Sequence, residues 1–172
     1  QTAFIGRVCD DALGHFYADA MADHGIDFVN PPVKGGETPT SRSMIFVTPD
    51  GERSMNTYLG ISTGLASADV SGDVAGTAKM MFLEGYLFAE DAGKTAFREA
   101  ARATKAAGGM AGIAISDPFC VERHRADFLN LIEHDLDYVI GNEAELKSLF
   151  ETEDLEEAIS RTAAICPIVV CT

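Results

Sequence analysis

The chain has 172 residues, 47% of them apolar, which is enough for a real core and ordinary for a globular protein. Its 27 acidic side chains against 13 basic ones give a net charge of −14, which repels phosphate backbones and anionic lipid surfaces alike. Composition therefore argues against nucleic acid and against membrane as partners, and no apolar run approaches the length of a membrane span. The four cysteines, Cys9, Cys120, Cys166 and Cys171, form no C-x-x-C pair and fit reduced thiols of a cytoplasmic protein better than a disulfide framework.

In chain order, residues 2–8 read as a strand. Asp10 or Asp11 then caps a helix running to about residue 24, with Leu13, Phe16, Tyr17, Ala20 and Met21 on one face and Gly25 just past its end. Residues 26–29 form a second strand, stopped by Asn30-Pro31-Pro32. A hairpin follows within residues 37–60. Its arms are 40–47 and 53–59, and its turn is Pro49-Asp50-Gly51. Met44 and Phe46 share one side of the first arm, and Ser43, Ile45 and Val47 share the other. The return arm is polar, so the hairpin is poorly buried on one face and is a candidate cover.

A weak helix is expected over 67–77. From residue 79 onward strand and helix alternate: strand 79–87, helix from Asp91 or Lys94 to 107, strand 112–115, helix 121–133, strand 138–140, helices 143–150 and 154–165, and strand 168–172. That alternation predicts an α/β fold with a mostly parallel sheet, helices on both faces and right-handed crossovers. Both ends of the chain read as core strands, so it is expected to be an internal piece of a longer protein.

Ligands of such sheets sit at the carboxyl ends of the strands. Polar groups occupy those ends here: Glu84, Asp117 and the pair Asn142 and Glu145. In Tyr138-Val139-Ile140-Gly141-Asn142-Glu143-Ala144-Glu145, an apolar strand turns through Gly141 into a helix. Asn142 stands at the N-cap and Glu145 at the N3 position of a capping box. Capping alone accounts for this spacing. The free N–H groups at such a turn also attract phosphate, and a carboxylate beside a phosphate is explained by a bridging Mg²⁺.

Other chemistries lack their signatures. Neither G-x-x-x-x-G-K-[ST] nor G-x-G-x-x-G occurs, nor does G-x-S-x-G. His15, His24, His124 and His134 lie on expected helices with no cysteine at ligand spacing and read as solvated or half-buried. Asp10-Asp11 reads as a cap rather than a carboxylate pair.

Several segments, taken together, resemble the ribokinase-like (PfkB) carbohydrate kinases, and among them the adenosine-kinase-like branch. Phe4-Ile5-Gly6-Arg7-Val8, with Asp11 and Gly14, resembles a G-x-V-G-x-D-x-x-G segment. The stretch from Thr48 to Gly60 resembles a two-sided lid, Gly141-Asn142-Glu143-Ala144-Glu145 an N-x-x-E motif, and Ser116-Asp117-Pro118-Phe119 an S-x-P-F segment. Val169 to Thr172 resembles the strand entering the nucleotide segment.

The resemblance implies a ribokinase-like, three-layer α/β/α fold with a small β lid over residues 37–60. It implies a kinase that passes a phosphoryl group from ATP, with Mg²⁺, to a primary hydroxyl of a nucleoside or sugar. Glu84, Met44, Phe46 and Tyr58 would meet that small-molecule substrate. Asn142, Glu145 and Thr172 would serve the nucleotide, with Asn142 and Glu145 on the metal–phosphate network. The family's catalytic aspartate, in a G-A-G-D motif, would lie beyond Thr172, and the N-terminal glycine-rich segment would precede Gln1. The isolated 172-residue chain is therefore expected to be inactive. A homodimer through the lid is a further expectation. The alternatives are a doubly wound ligand-binding or regulatory domain without chemistry, and a structural module that pairs through the lid.

Overall fold

Two polar signals, Asp11 and the Pro49-Asp50-Gly51 turn, organise the early part of the chain. The computed structural model describes residues 1–70 and 72–172, in two units, Gln1–Leu65 and Ala66–Thr172. In the first unit, β1 (Thr2–Phe4) and β2 (Ile26–Phe28) pair in parallel, connected by α1 (Ala12–Asp23). Asp11 caps α1. Its Oδ1 accepts from the Gly14 N–H at 2.8 Å and from the Thr40 hydroxyl at 2.7 Å, and its Oδ2 accepts from the Thr40 N–H at 2.9 Å. Those three bonds tie the helix start to the segment leading into the hairpin. Gly14 is required there, since a Cβ would stand 1.9 Å from the Cys9 carbonyl oxygen.

The regular first strand is shorter than the expected residues 2–8: after Phe4 the ladder breaks, the Gly6 N–H meets the Asn30 amide oxygen at 3.1 Å, and parallel backbone pairing returns only at Val8 to Asp10 against Val33. The expected apolar face of α1 is only partly buried. Tyr17 packs with Phe4 and Phe28, at centroid separations of 5.8 Å to each, but Phe16 is 73% exposed and Leu13 is exposed too.

The hairpin consists of β3 (Arg42–Val47) and β4 (Arg53–Tyr58), antiparallel, with Gly51 at φ +87° in the turn. The register pairs Met44 with Asn56, Phe46 with Ser54 and Arg42 with Tyr58. Every residue of both strands is exposed. What holds them is backbone pairing, the turn and a few cross-strand contacts. The Ser43 and Thr57 hydroxyls lie 2.8 Å apart, and the Arg42 guanidinium sits 5.2 Å from the centre of the Tyr58 ring.

In the second unit the expected 67–77 helix includes Ser71, which lies outside the described residues. On either side are a 3-10 turn, Ser67–Asp69, and the four-residue α2 (Gly72–Ala75). The rest alternates: β5 (Met80–Glu84), a 3-10 turn at Gly85–Ala89, α3 (Asp91–Ala106), β6 (Met110–Ala114), α4 (Pro118–Asp135), β7 (Tyr138–Gly141), α5 (Glu143–Phe150), α6 (Leu155–Ile165) and β8 (Ile168–Cys171). Helix α4 starts earlier than expected. Asp117 is its N-cap, accepting from the Cys120 N–H at 2.7 Å, and Pro118 takes the first turn, where its missing N–H costs nothing.

The sheet is β5-β6-β7-β8, all parallel and in sequence order. Right-handed crossovers between strands laid down in one direction place their helices on one face. On that face Leu83, Ile113 and Val139 meet a core that includes Phe88, Phe128, Leu131, Leu146 and Leu149. The rings of Phe88 and Phe128 are 4.5 Å apart. This unit thus supplies one helix layer. Residues aimed at the opposite face, Met80, Phe82, Ile168 and Val170, remain exposed. On that face Tyr138 lies across Gly112, where a Cβ would fall 2.2 Å from the ring, and its hydroxyl donates to the Met81 carbonyl at 2.8 Å.

Candidate active site

The parallel register brings four strand ends to one edge of the second unit. Glu84 ends β5, Ser116 follows β6, Asn142 follows β7 and Thr172 follows β8. The Thr172 N–H extends the ladder by donating to the Gly141 carbonyl at 3.1 Å. Two polar clusters stand along this edge.

The first is built on Glu84. The Ser116 hydroxyl donates to its Oε1 at 2.7 Å. Ser116 has φ +74°, a conformation that costs a non-glycine residue about 1–3 kcal/mol. The Tyr86 hydroxyl donates to the Ser116 carbonyl at 3.3 Å. Burial pushes the Tyr86 phenol above its ordinary value, and the carboxylates of Asp117, Glu84 and Glu145 push it further. The ring therefore stays protonated, as a donor within electrostatic reach of three acids. Burial, and then Asp117, also raise the Cys120 thiol, which donates to the Gly85 carbonyl at 3.5 Å and is no nucleophile in that state.

The second cluster is the start of α5. Asn142 and Glu145 form the complete capping box. The Glu145 N–H donates to the Asn142 amide oxygen at 2.9 Å, and the Asn142 N–H donates to Glu145 Oε2 at 2.9 Å. The Asn142 side-chain amide also donates to Glu145 Oε1 at 2.8 Å. Glu145 is buried, a rare state for a carboxylate without such partners. Gly141 leaves it room, since a Cβ there would crowd Glu145 Oε2 at 3.3 Å and the Ile115 side chain at 2.9 Å.

Asn142 and Thr172 line one open groove, and Arg125 and Lys147 bring positive charge to it. Both cations are tied to carboxylates, Lys147 to Glu143 at 2.6 Å and Arg125 to Glu151 at 3.1 Å. Among the described residues no three His, Cys, Asp or Glu side chains gather as a metal cage. An ion that keeps most of its waters and takes one carboxylate, as Mg²⁺ does, fits the oxygen donors at Glu145.

Comparison with known proteins bears on this arrangement. The model of the pfkB family carbohydrate kinases matches residues 1–172. The chain belongs to that family. Adenosine kinase from Sinorhizobium meliloti is 42% identical to this pfkB-family chain, with a TM-score of 0.93 over 99% of the chain and 52% of that structure. A probable sugar kinase protein from Rhizobium etli CFN 42 matches with the same values. A ribokinase II-type structure from E. coli, in complex with ATP and Mg²⁺, is 18% identical, with a TM-score of 0.82 over 98% of the chain and 56% of that structure. The chain spans about half the length of these structures. No curated protein matches it. The fold is ribokinase-like α/β, a parallel sheet flanked by helices.

Within this pfkB-family chain the residues singled out from sequence fall in two places. Glu84, Asn142 and Thr172 stand at strand ends of one sheet, and Glu145 lies in the first turn of the helix that follows one of them. Met44, Phe46 and Tyr58 belong to the first unit and share one hairpin face, where the register also puts Arg42. Sequence reasoning missed Arg42, although the alternation that groups Met44 with Phe46 includes it. Tyr86 and a role for Ser116 were missed too. The S-D-P run marks a helix start, but nothing in it signals the left-handed backbone at Ser116.

Proposed function

We propose that the protein carrying this chain is an ATP-dependent kinase that phosphorylates a primary hydroxyl of an adenosine-like nucleoside or of a sugar. The observation that carries the reading is the match to the Sinorhizobium adenosine kinase at 42% identity over 99% of the chain. The two strand-end clusters support it chemically. Phosphoryl transfer asks for positioning, charge neutralisation and exclusion of water more than for covalent chemistry.

In this reading Glu84 accepts hydrogen bonds from acceptor hydroxyls. Asn142 and Thr172 face the nucleotide, and Glu145 supports Mg²⁺ through its waters. Bound Mg²⁺ supplies neutralisation of phosphate charge. Capping holds the Glu145 carboxylate in one orientation, so its charge is preorganised rather than recruited. The hairpin, with Met44, Phe46 and Tyr58 on one face, serves as the acceptor-facing lid and as a contact between two copies.

The reading is tested by incubating the full-length protein with ATP, Mg²⁺ and a panel of adenosine, inosine, ribose and fructose. The expected result is ATP-dependent phosphorylation of at least one of them at its primary hydroxyl. Binding of a panel member without any phosphorylated product would favour a non-catalytic ligand-binding domain instead.

A further inference from the structure

Ser116 occupies a position that its backbone would leave to glycine. At φ +74° a glycine is relaxed and a serine is strained. Serine also brings a hydroxyl, which donates to Glu84 Oε1 at 2.7 Å and lies 3.3 Å from the Ala114 carbonyl. The surroundings are fitted to that hydroxyl. A Cβ on Gly85 would stand 2.7 Å from the Ser116 oxygen and 2.6 Å from the Ala114 carbonyl oxygen, so the residue after Glu84 has to lack a side chain. On the far side, the Tyr86 hydroxyl donates to the Ser116 carbonyl at 3.3 Å and restrains the strained peptide. Residues from β5, the turn after it and the loop after β6 thus meet around Ser116, whose hydroxyl alone holds the Glu84 carboxylate oxygen.

Glu84 is otherwise an exposed side chain on a free rotor. Fixing Oε1 leaves Oε2 to accept from a hydroxyl of a bound polyol, and it removes rotamer entropy that substrate binding would otherwise have to remove. We propose that Ser116 is a positioning residue that holds the Glu84 carboxylate for the hydroxyls of the phosphoryl acceptor. This rests on the kinase reading above and deepens it.

The test is steady-state kinetics of the full-length protein with Ser116→Gly, Glu84→Gln and the double variant, alongside thermal unfolding. Glycine fits the φ, so Ser116→Gly should not lower the unfolding temperature. It should raise the KM for the acceptor about fivefold to tenfold, the worth of one ordinary hydrogen bond. The KM for MgATP should stay unchanged. In the Glu84→Gln background the same substitution should add less than about twofold, because both changes disable one contact.

Wild-type acceptor KM in Ser116→Gly, or losses that multiply in the double variant, would overturn the role of Ser116 while leaving the kinase reading intact. A wild-type protein that phosphorylates no member of the panel would overturn both.

Discussion

The hairpin β3–β4 and the inner strands β6 and β7 are built from similar apolar residues and are held by opposite means. In β6 and β7 the side chains of Ile113 and Val139 are fully buried under the helix layer, and parallel pairing comes with that burial. In the hairpin Ile45 is 55% exposed and Phe46 61% exposed, and the strands are held by ladder bonds and by a turn whose glycine sits at φ +87°. Burial fixes the strand ends that carry Glu84, Ser116 and Asn142 to one register. The hairpin is free to be shaped by whatever lies against it. A site that must be positioned gains from the first kind of strand, and the role of cover proposed for the hairpin asks only for the second.

This contrast has measurable consequences in the full-length protein. The largest is in the core: Ile113→Ala should cost about 2–5 kcal/mol in urea unfolding, whereas Ile45→Ala in the hairpin should cost within about 0.5 kcal/mol. Equal losses would break the comparison.

Glycines sharpen it further. Gly112→Ala sets a methyl into the Tyr138 ring and should cost about 1–3 kcal/mol, with the Tyr138–Met81 bond disturbed. Gly51→Ala meets no atom within 4 Å and should cost only about 1 kcal/mol, from its positive φ alone.

The smallest effect is one of pH. The Thr40 and Gly14 N–H groups and the Thr40 hydroxyl hold the Asp11 carboxyl below the ordinary value of 3.8. A depressed folded-state value means that the stabilisation is present above 3.8 and is lost as the pH falls through the lower, folded value. Asp11→Asn should therefore flatten the acid end of the stability curve, from pH 4 downward, relative to wild type. An unchanged acid limb would show that the Asp11–Thr40 bonds do not hold the segment leading into the hairpin.

Much of this was legible in the sequence. The strand–helix alternation from residue 79 gave the second unit its order, and the capping box at Asn142 and Glu145 was read from spacing alone. The Asp10-Asp11 pair, Gly25 and Pro49-Asp50-Gly51 mark a helix start, a helix end and a hairpin turn, and the structure gives the cap to Asp11. The misses have physical causes. Leu13 and Phe16 fall at helical spacing, but periodicity says only that a face is apolar, not that it is covered, and both are exposed. The expected start of α4, near Val121, falls late because an Asp followed by Pro reads equally well as a turn, and only the fold shows Asp117 capping a helix with Pro118 in its first turn. The Ser116–Glu84 bond spans 32 residues and depends on a backbone conformation that no local pattern encodes.

The central claim of the proposed function is that separate strand ends of one sheet divide the work, with Glu84 holding the acceptor and Glu145 serving the metal and nucleotide. The most direct test measures KM for acceptor and for MgATP in Glu84→Gln and Glu145→Gln, where glutamine preserves the capping box at position 145. The account predicts that Glu84→Gln raises the acceptor KM about tenfold with little change for MgATP. Glu145→Gln should weaken Mg²⁺-dependent turnover while acceptor KM stays near wild type. A Glu84→Gln protein with wild-type acceptor KM, or a Glu145→Gln protein with unaltered magnesium dependence, would contradict it.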